Sequence, residues 1–248
     1  MSNDSLGDRM KGYEQASRTV LPGRMPVIIR VDGKAFHTYT RGTERPFDTK
    51  LADVMVDTAK KLCEEIQGAQ LAYTQSDEIS VLVHCYKKLN SSPWFDNQVQ
   101  KMVSVAAGVA SAYFTAQSHR IWGPVVEDLE GRSIKPAVFD ARVFVIPEAD
   151  VCNYFLWRQQ DATRNSVQML ARSLYSHRQC ENKNTFELKA MCAEKGTPWE
   201  SIEPRFQRGC CVQRARTNER NPWYVVKNIP LFNEDREYVN NLLKVEEE

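Results

Sequence analysis

The sequence has no apolar run approaching the roughly 20 residues that a membrane-spanning helix needs, so no membrane partner is expected. Its first residues, Met-Ser-Asn-Asp-Ser-Leu-Gly-Asp, lack the basic region and apolar core of a secretory signal. The expectation is a cytoplasmic protein, neither secreted nor embedded. Seven cysteines are scattered without framework spacing and without a Cys-x-x-Cys. That pattern argues for buried thiols in a reducing compartment, not for a disulfide scaffold. His177-Arg-Gln-Cys180 has the start of a zinc spacing but no matching second pair. A global charge excess is also missing: net charge is only +1, whereas nucleic-acid-binding domains are often strongly basic. Internal repeats and low-complexity linkers are absent.

What is present is ordinary in bulk and uneven in detail. At 248 residues, 42% hydrophobic and 26% charged, the chain suffices for one large domain or a domain with an appendage. Between Arg158 and Arg220 there are twelve Lys/Arg against seven Asp/Glu, while Asn233 to Glu248 turns acidic. The local excess permits a phosphate-binding face without requiring one.

The chain is organised around Met25-Pro-Val-Ile-Ile-Arg-Val-Asp-Gly-Lys-Ala-Phe-His37. Val27 to Val31 reads as a buried strand that stops at Asp32-Gly33. Upstream, Asp4 to Gln15 suggests a short amphipathic helix. Downstream, Asp48 is an N-cap for a helix running towards Gly68. Leu71 to Thr74 and Ile79 to His84 form a hairpin turning at Ser76-Asp77. A second helix runs from Phe95 to Phe114, a strand from Val138 to Ile146, and a third helix from Asp150 to Tyr175. The order β–α–β–β–α–β predicts an α+β fold of ferredoxin-like type, an antiparallel sheet with two helices on one face. Residues 1–175 are expected to form this domain, and residues 176–248 an irregular C-terminal extension or arm, either separate or part of the same domain.

Strand one of such a sheet lies beside the hairpin, so Asp32 is expected next to the Ser76-Asp77-Glu78 turn. Two carboxylates from neighbouring strand ends, with the Gly33 carbonyl, make an all-oxygen site suited to Mg²⁺. Pairs of such ions are the usual device for nucleotidyl transfer. Backbone amides from Gly33 to His37 are positioned to cradle a triphosphate, with Lys34, Arg45 and Ser76 adding charge and a hydroxyl. Each piece has an ordinary alternative. Asp-Gly is also the commonest hairpin dipeptide, and acidic residues at a hairpin tip usually form a solvated turn.

Four blocks, Arg30-Val-Asp-Gly-Lys-Ala-Phe-His37, Tyr73-Thr-Gln-Ser-Asp-Glu-Ile-Ser80, Phe139-Asp-Ala-Arg-Val-Phe-Val-Ile-Pro147 and Tyr154-Phe-Leu-Trp-Arg-Gln-Gln-Asp161, resemble the tRNA-histidine guanylyltransferase family in order and spacing. The resemblance implies a polymerase-like palm that adds nucleotides 3′–5′ at the tRNA 5′ end with two Mg²⁺ ions. It makes Asp32, Gly33 and Asp77 the metal ligands, with Asp32, Asp77 and Glu78 catalytic. Asp32, Gly33, Lys34, Ala35, Phe36, His37, Ser76 and Asp77 would bind the nucleotide, with Arg45 where the family has lysine. After Asp161 the guanylyltransferases proper carry His-Ile-Asn-Asn-Leu-Tyr-Asn. This chain reads Thr163-Arg-Asn-Ser-Val-Gln-Met169 and keeps only Asn165. It therefore more closely resembles the bacterial and archaeal branch, which repairs truncated tRNA 5′ ends by templated addition after activation with ATP or GTP. That resemblance also implies a homotetramer, with tRNA and NTPs as partners and RNA contacts at Asn165, Arg172, Arg178, Arg208 and Arg214. The rival expectations are an untemplated tRNA-His guanylyltransferase, a nucleotidyl cyclase-like palm and a non-catalytic RNA-binding module.

Overall fold

In a computed structural model, the structure describes residues 5–86, 90–122, 136–215 and 223–244. The elements run α1 (Leu6–Ala16), β1 (Val27–Gly33), α2 (Phe36–Tyr39), α3 (Thr49–Glu65), β2 (Ala69–Gln75), β3 (Glu78–Val83), α4 (Val99–Trp122) and β4 (Phe139–Val145). They continue with α5 (Glu148–Leu174), α6 (His177–Cys180), α7 (Thr185–Glu194), α8 (Pro204–Arg208), β5 (Cys210–Arg214), β6 (Trp223–Val226) and α9 (Glu237–Asn240). The strands form one sheet in the order β4-β1-β3-β2-β5-β6, and every neighbouring pair is antiparallel. The first four strands reproduce the expected ferredoxin-like arrangement.

Alternation along β1 separates the two faces of the sheet. Val27, Ile29 and Val31 enter a core shared with Leu62 of α3 and Phe114 of α4. Ile28 points the other way, into a second core with Val151 and Phe155 of α5 and Val239 of α9. Arg30 and Asp32 lie on that second face by the same alternation. The third helix thus forms the extra layer, and its far half packs on α7 through Leu170, Leu188 and Trp199. Burial on both faces is why β1 and β3 read as near-continuous apolar runs.

Local signals explain most element ends. Asp48 caps α3 by accepting from the Leu51 amide at 2.9 Å. The hairpin turn is the two-residue Ser76-Asp77, with Ser76 in the left-handed region at φ 51°, as a tight connection between twisted strands requires. The second helix starts four residues later than expected. Trp94–Asn97 forms a separate 3₁₀ turn, because Phe95 and Asp96 have positive φ and break the helix.

The stretch beyond residue 176 contributes to the same sheet and core. It supplies β5, hydrogen-bonded to β2, and β6 beyond it. It also supplies Ile229, Phe232 and Val239 to the second core. Residues on either side of 175 therefore share one sheet. The vicinal Cys210-Cys211 belong to β5, one facing each core. Residues 123–135, between α4 and β4, lie outside the described residues.

Candidate active site

Register brings the two acidic turns together. Asp32 stands opposite Glu78 on one side and Asp140 on the other. The Gly33 amide donates to the Asp77 carbonyl at 3.0 Å, closing the rim between strand end and hairpin turn. Asp32 and Asp77 are both half-buried. Burial above all pushes the Asp77 carboxyl above its usual range; a hydrogen bond from its own backbone amide opposes this, the charge of Asp32 adds to it, and the Ser76 hydroxyl and Arg30 lower it. Two mutually repelling carboxylates are thus held at one rim, which is the electrostatic condition for a cation site.

Gly33 is required by close approach. A Cβ there would lie 2.3 Å from the Phe36 ring. Phe36 is buried, with its ring 4.8 Å from Phe139 and 5.2 Å from Phe114, and this anchor fixes the loop between β1 and α2. Ala35 adopts the left-handed conformation at φ 54° as the residue preceding α2. The amides of Ala35, Phe36 and His37 are first-turn donors without a partner inside the helix. Those of Gly33 and Lys34 are already spent on Asp77 and Val138. The expected five-residue anion cradle therefore contracts to residues 35–37.

A cavity of about 560 Å³ opens beside this rim. One wall holds Gly33, Ala35, Phe36, His37, Ser76 and Asp77, and another holds Arg45 to Asp48. A third comes from α5, where Asn165, Ser166, Met169 and Arg172 recur at helical spacing. Phe47 and Phe206 stack at 5.0 Å across the cavity's edge, and Gly209 and Cys210 complete it. Gly209 sits at φ 79°, where a Cβ would come within 2.7 Å of the Thr74 carbonyl. Lys34 is exposed and does not line the cavity.

Four expected site residues have a different place. Glu78 is 4% exposed, and Arg158 grips both of its oxygens at 2.7 and 2.8 Å. Arg30 adds a contact of 2.9 Å to the same carboxylate. Burial works against the charged Arg158 guanidinium, but Glu78 and then Asp161 outweigh it and raise its pKa. Burial pushes the Glu78 carboxyl above its usual range, against Arg158 and Arg30, which lower it; with both oxygens held, Glu78 is a strut beside the metal-type carboxylates, not a free ligand. Arg208 spends its guanidinium on the Ile229 carbonyl, Gln207 and Asn228, so it is not a free RNA contact. Asn165 and Arg172, expected on an RNA face, instead line the cavity with the nucleotide loop. Arg178 and Arg214 are exposed as expected.

The Phe47–Phe206 stack and the α5 wall escaped sequence reasoning. The spacing of Ala162, Asn165, Met169 and Arg172 was available, but only packing decides which helix face meets the cavity. Among the described residues, no three His, Cys, Asp or Glu side chains are gathered to hold a metal. The donor set of two carboxylates and the Gly33 carbonyl still fits Mg²⁺, which usually takes one or two carboxylates and completes its shell with water and substrate phosphate.

Comparison with known proteins agrees with this geometry. Residues 7–147 match the family model described as tRNAHis guanylyltransferase. A bacterial tRNA(His) guanylyltransferase-like protein in complex with ATP superposes with a TM-score of 0.87 and 41% identity, covering 96% of this chain and 99% of that one. Such a bacterial protein in complex with GTP gives a TM-score of 0.81 and 39% identity, over 96% and 99%. The tRNA(His) guanylyltransferase of Debaryomyces hansenii is 31% identical over 144 residues, 57% of this chain. The chain spans 51% of that curated relative's length.

Proposed function

Because the chain belongs to the tRNAHis guanylyltransferase family, whose members are nucleotidyltransferases, we propose that it adds nucleotides in the 3′–5′ direction to the 5′ end of tRNA, restoring truncated ends against the opposite strand as template. The observation carrying this reading is the cavity lined by Asp77 and residues 35–37, at a rim where strand register sets Asp32 beside the Asp77 turn, although Asp32 itself does not line the cavity. The complexes of its bacterial relatives with ATP and GTP support a nucleoside triphosphate as its occupant.

Asp32, Asp77 and the Gly33 carbonyl would hold Mg²⁺, two ions in the full account. The metal would supply charge neutralisation on phosphate and a lower pKa for the attacking hydroxyl. The protein's own part is positioning. Amides 35–37 donate to triphosphate oxygens, and the Ser76 hydroxyl lies beside them. Arg45 and Arg172, both exposed in the cavity wall, neutralise phosphate charge. Arg45 in place of lysine offers a fork of donors in place of a point charge.

The chemistry runs in two transfers. A tRNA 5′-monophosphate oxygen attacks the α-phosphorus of ATP or GTP and releases pyrophosphate. The 3′-hydroxyl oxygen of the incoming NTP then attacks the former tRNA 5′ phosphorus, and the nucleoside monophosphate leaves. Base pairing with the opposite strand selects the nucleotide, so the protein reads backbone and shape. In this reading the protein acts in the cytoplasm as a homotetramer, with Arg178 and Arg214 among its tRNA contacts. Among the described residues, no helix is long and apolar enough to cross a membrane. The test is incubation with 5′-truncated tRNA, Mg²⁺ and each NTP. Template-matched extension supports the reading; a cyclic nucleotide formed without RNA, or no product with any tRNA, refutes it.

A further inference from the structure

The solvent-facing line of α5 runs through Asn153, Trp157, Gln160 and Arg164, and Trp157 is the large apolar member. Its indole is 48% exposed. A single exposed tryptophan is ordinary by area; what distinguishes this one is how it is held. The Arg158 guanidinium lies 4.3 Å from the ring centroid, and Tyr154 meets it edge-on at 5.9 Å. Both supports are themselves fixed: Arg158 by the two bonds to Glu78, and Tyr154 by a 2.8 Å bond to Ser80. The indole is thus braced, through Arg158 and Tyr154, against Glu78 and Ser80 of β3, the first of which follows Asp77 in the chain. It does not line the cavity that the nucleotide would fill. Arg142, half-exposed and 4.0 Å from Asp32, adds positive charge at the same rim.

We propose that the outward side of Trp157 is a stacking platform for the terminal base at the 5′ end of the RNA substrate. The inference rests on the nucleotide-addition reading above and names where the second substrate lies. A flat, rigid indole tolerates any base, because every base has a π-face, and templated addition at changing 5′ residues needs that indifference. The braced chain Trp157–Arg158–Glu78 sets the distance from the stacked base to the rim carboxylates. Trp157 is accordingly a positioning residue: it orders the RNA end and leaves the chemistry to the rim.

The test uses the full chain and an RNA stem with a 5′-monophosphate and 2-aminopurine as its 5′ nucleotide. With wild type, stacking quenches the probe's fluorescence. Trp157→Phe retains most of the quench, and Trp157→Leu, which keeps apolar bulk against Tyr154, loses it. The KM for RNA in Trp157→Leu rises roughly 5- to 150-fold, the range that loss of one base–aromatic stack produces, while the KM for NTP stays within about twofold. Circular dichroism and thermal melting check that both variants are folded. An unchanged quench in Trp157→Leu, or an effect on the KM for NTP alone, overturns the proposal. Wild type that quenches through Trp157 but extends no RNA refutes the nucleotide-addition reading and leaves the stacking site standing.

Discussion

Arg158 and Glu78, eighty positions apart, form a bidentate ion pair of 2.7 and 2.8 Å with both side chains buried. The pair clamps α5 to the sheet rim one residue from Asp77. A buried pair costs desolvation to form, yet removing one partner strands the other's charge. Arg158→Met should therefore destabilise the protein by about 3–5 kcal/mol. Replacing both, Arg158→Met with Glu78→Leu, should cost clearly less than the two single changes added together. Urea unfolding of the four proteins measures the coupling, and strict additivity would deny the strut.

Gly33→Ala places a methyl group against the Phe36 ring. Phe36 must then leave its position among Phe114 and Phe139, and the amides of residues 35–37 move with it. Overpacking of this kind costs about 1–3 kcal/mol. The expected result is a modest fall in Tm and at least about a tenfold loss of ATP affinity by calorimetry, since charge-assisted hydrogen bonds are worth about 1.5–3 kcal/mol. Unaltered ATP affinity would remove the loop from the nucleotide site.

The arginines divide by environment. Arg172→Ala, in the cavity wall, should weaken NTP binding about tenfold with little change in Tm. Arg208→Ala removes three internal bonds and should lower Tm while leaving nucleotide affinity intact. Charge reversal at Arg178 and Arg214 should weaken tRNA binding and reduce its salt slope by nearly one for each phosphate no longer neutralised. Filter binding across a salt series reads the last effect; a constant slope places the RNA elsewhere.

Much of the palm was legible because its signals are local. Alternation and apolar runs marked β1, β3 and β4, an Asp marked the start of α3, and the short Gln75–Glu78 gap between two apolar runs marked the hairpin. That Asp32 lies beside the Ser76-Asp77 turn followed from strand order. The second face was not legible. Leu71, Tyr73 and Cys211 look like members of any core, and only tertiary packing tells which helix covers them. β5 and β6 are short strands in a segment rich in Pro, Gly and charge, where propensity is weak and pairing with β2 decides. Glu78 shows the same limit at the site. Beside Asp77 it looks like another ligand, and its capture by Arg158 depends on a helix that begins seventy residues later.

The account turns on Asp32 and Asp77 acting together at the rim. The most direct measurement is nucleotide incorporation into 5′-truncated tRNA with Mg²⁺ and all four NTPs, comparing wild type with Asp77→Ala at matched tRNA affinity. The account predicts template-matched extension by wild type, abolished by chelation with EDTA, and a loss of at least about 10²–10³-fold in the variant. Extension by Asp77→Ala at the wild-type rate would contradict it.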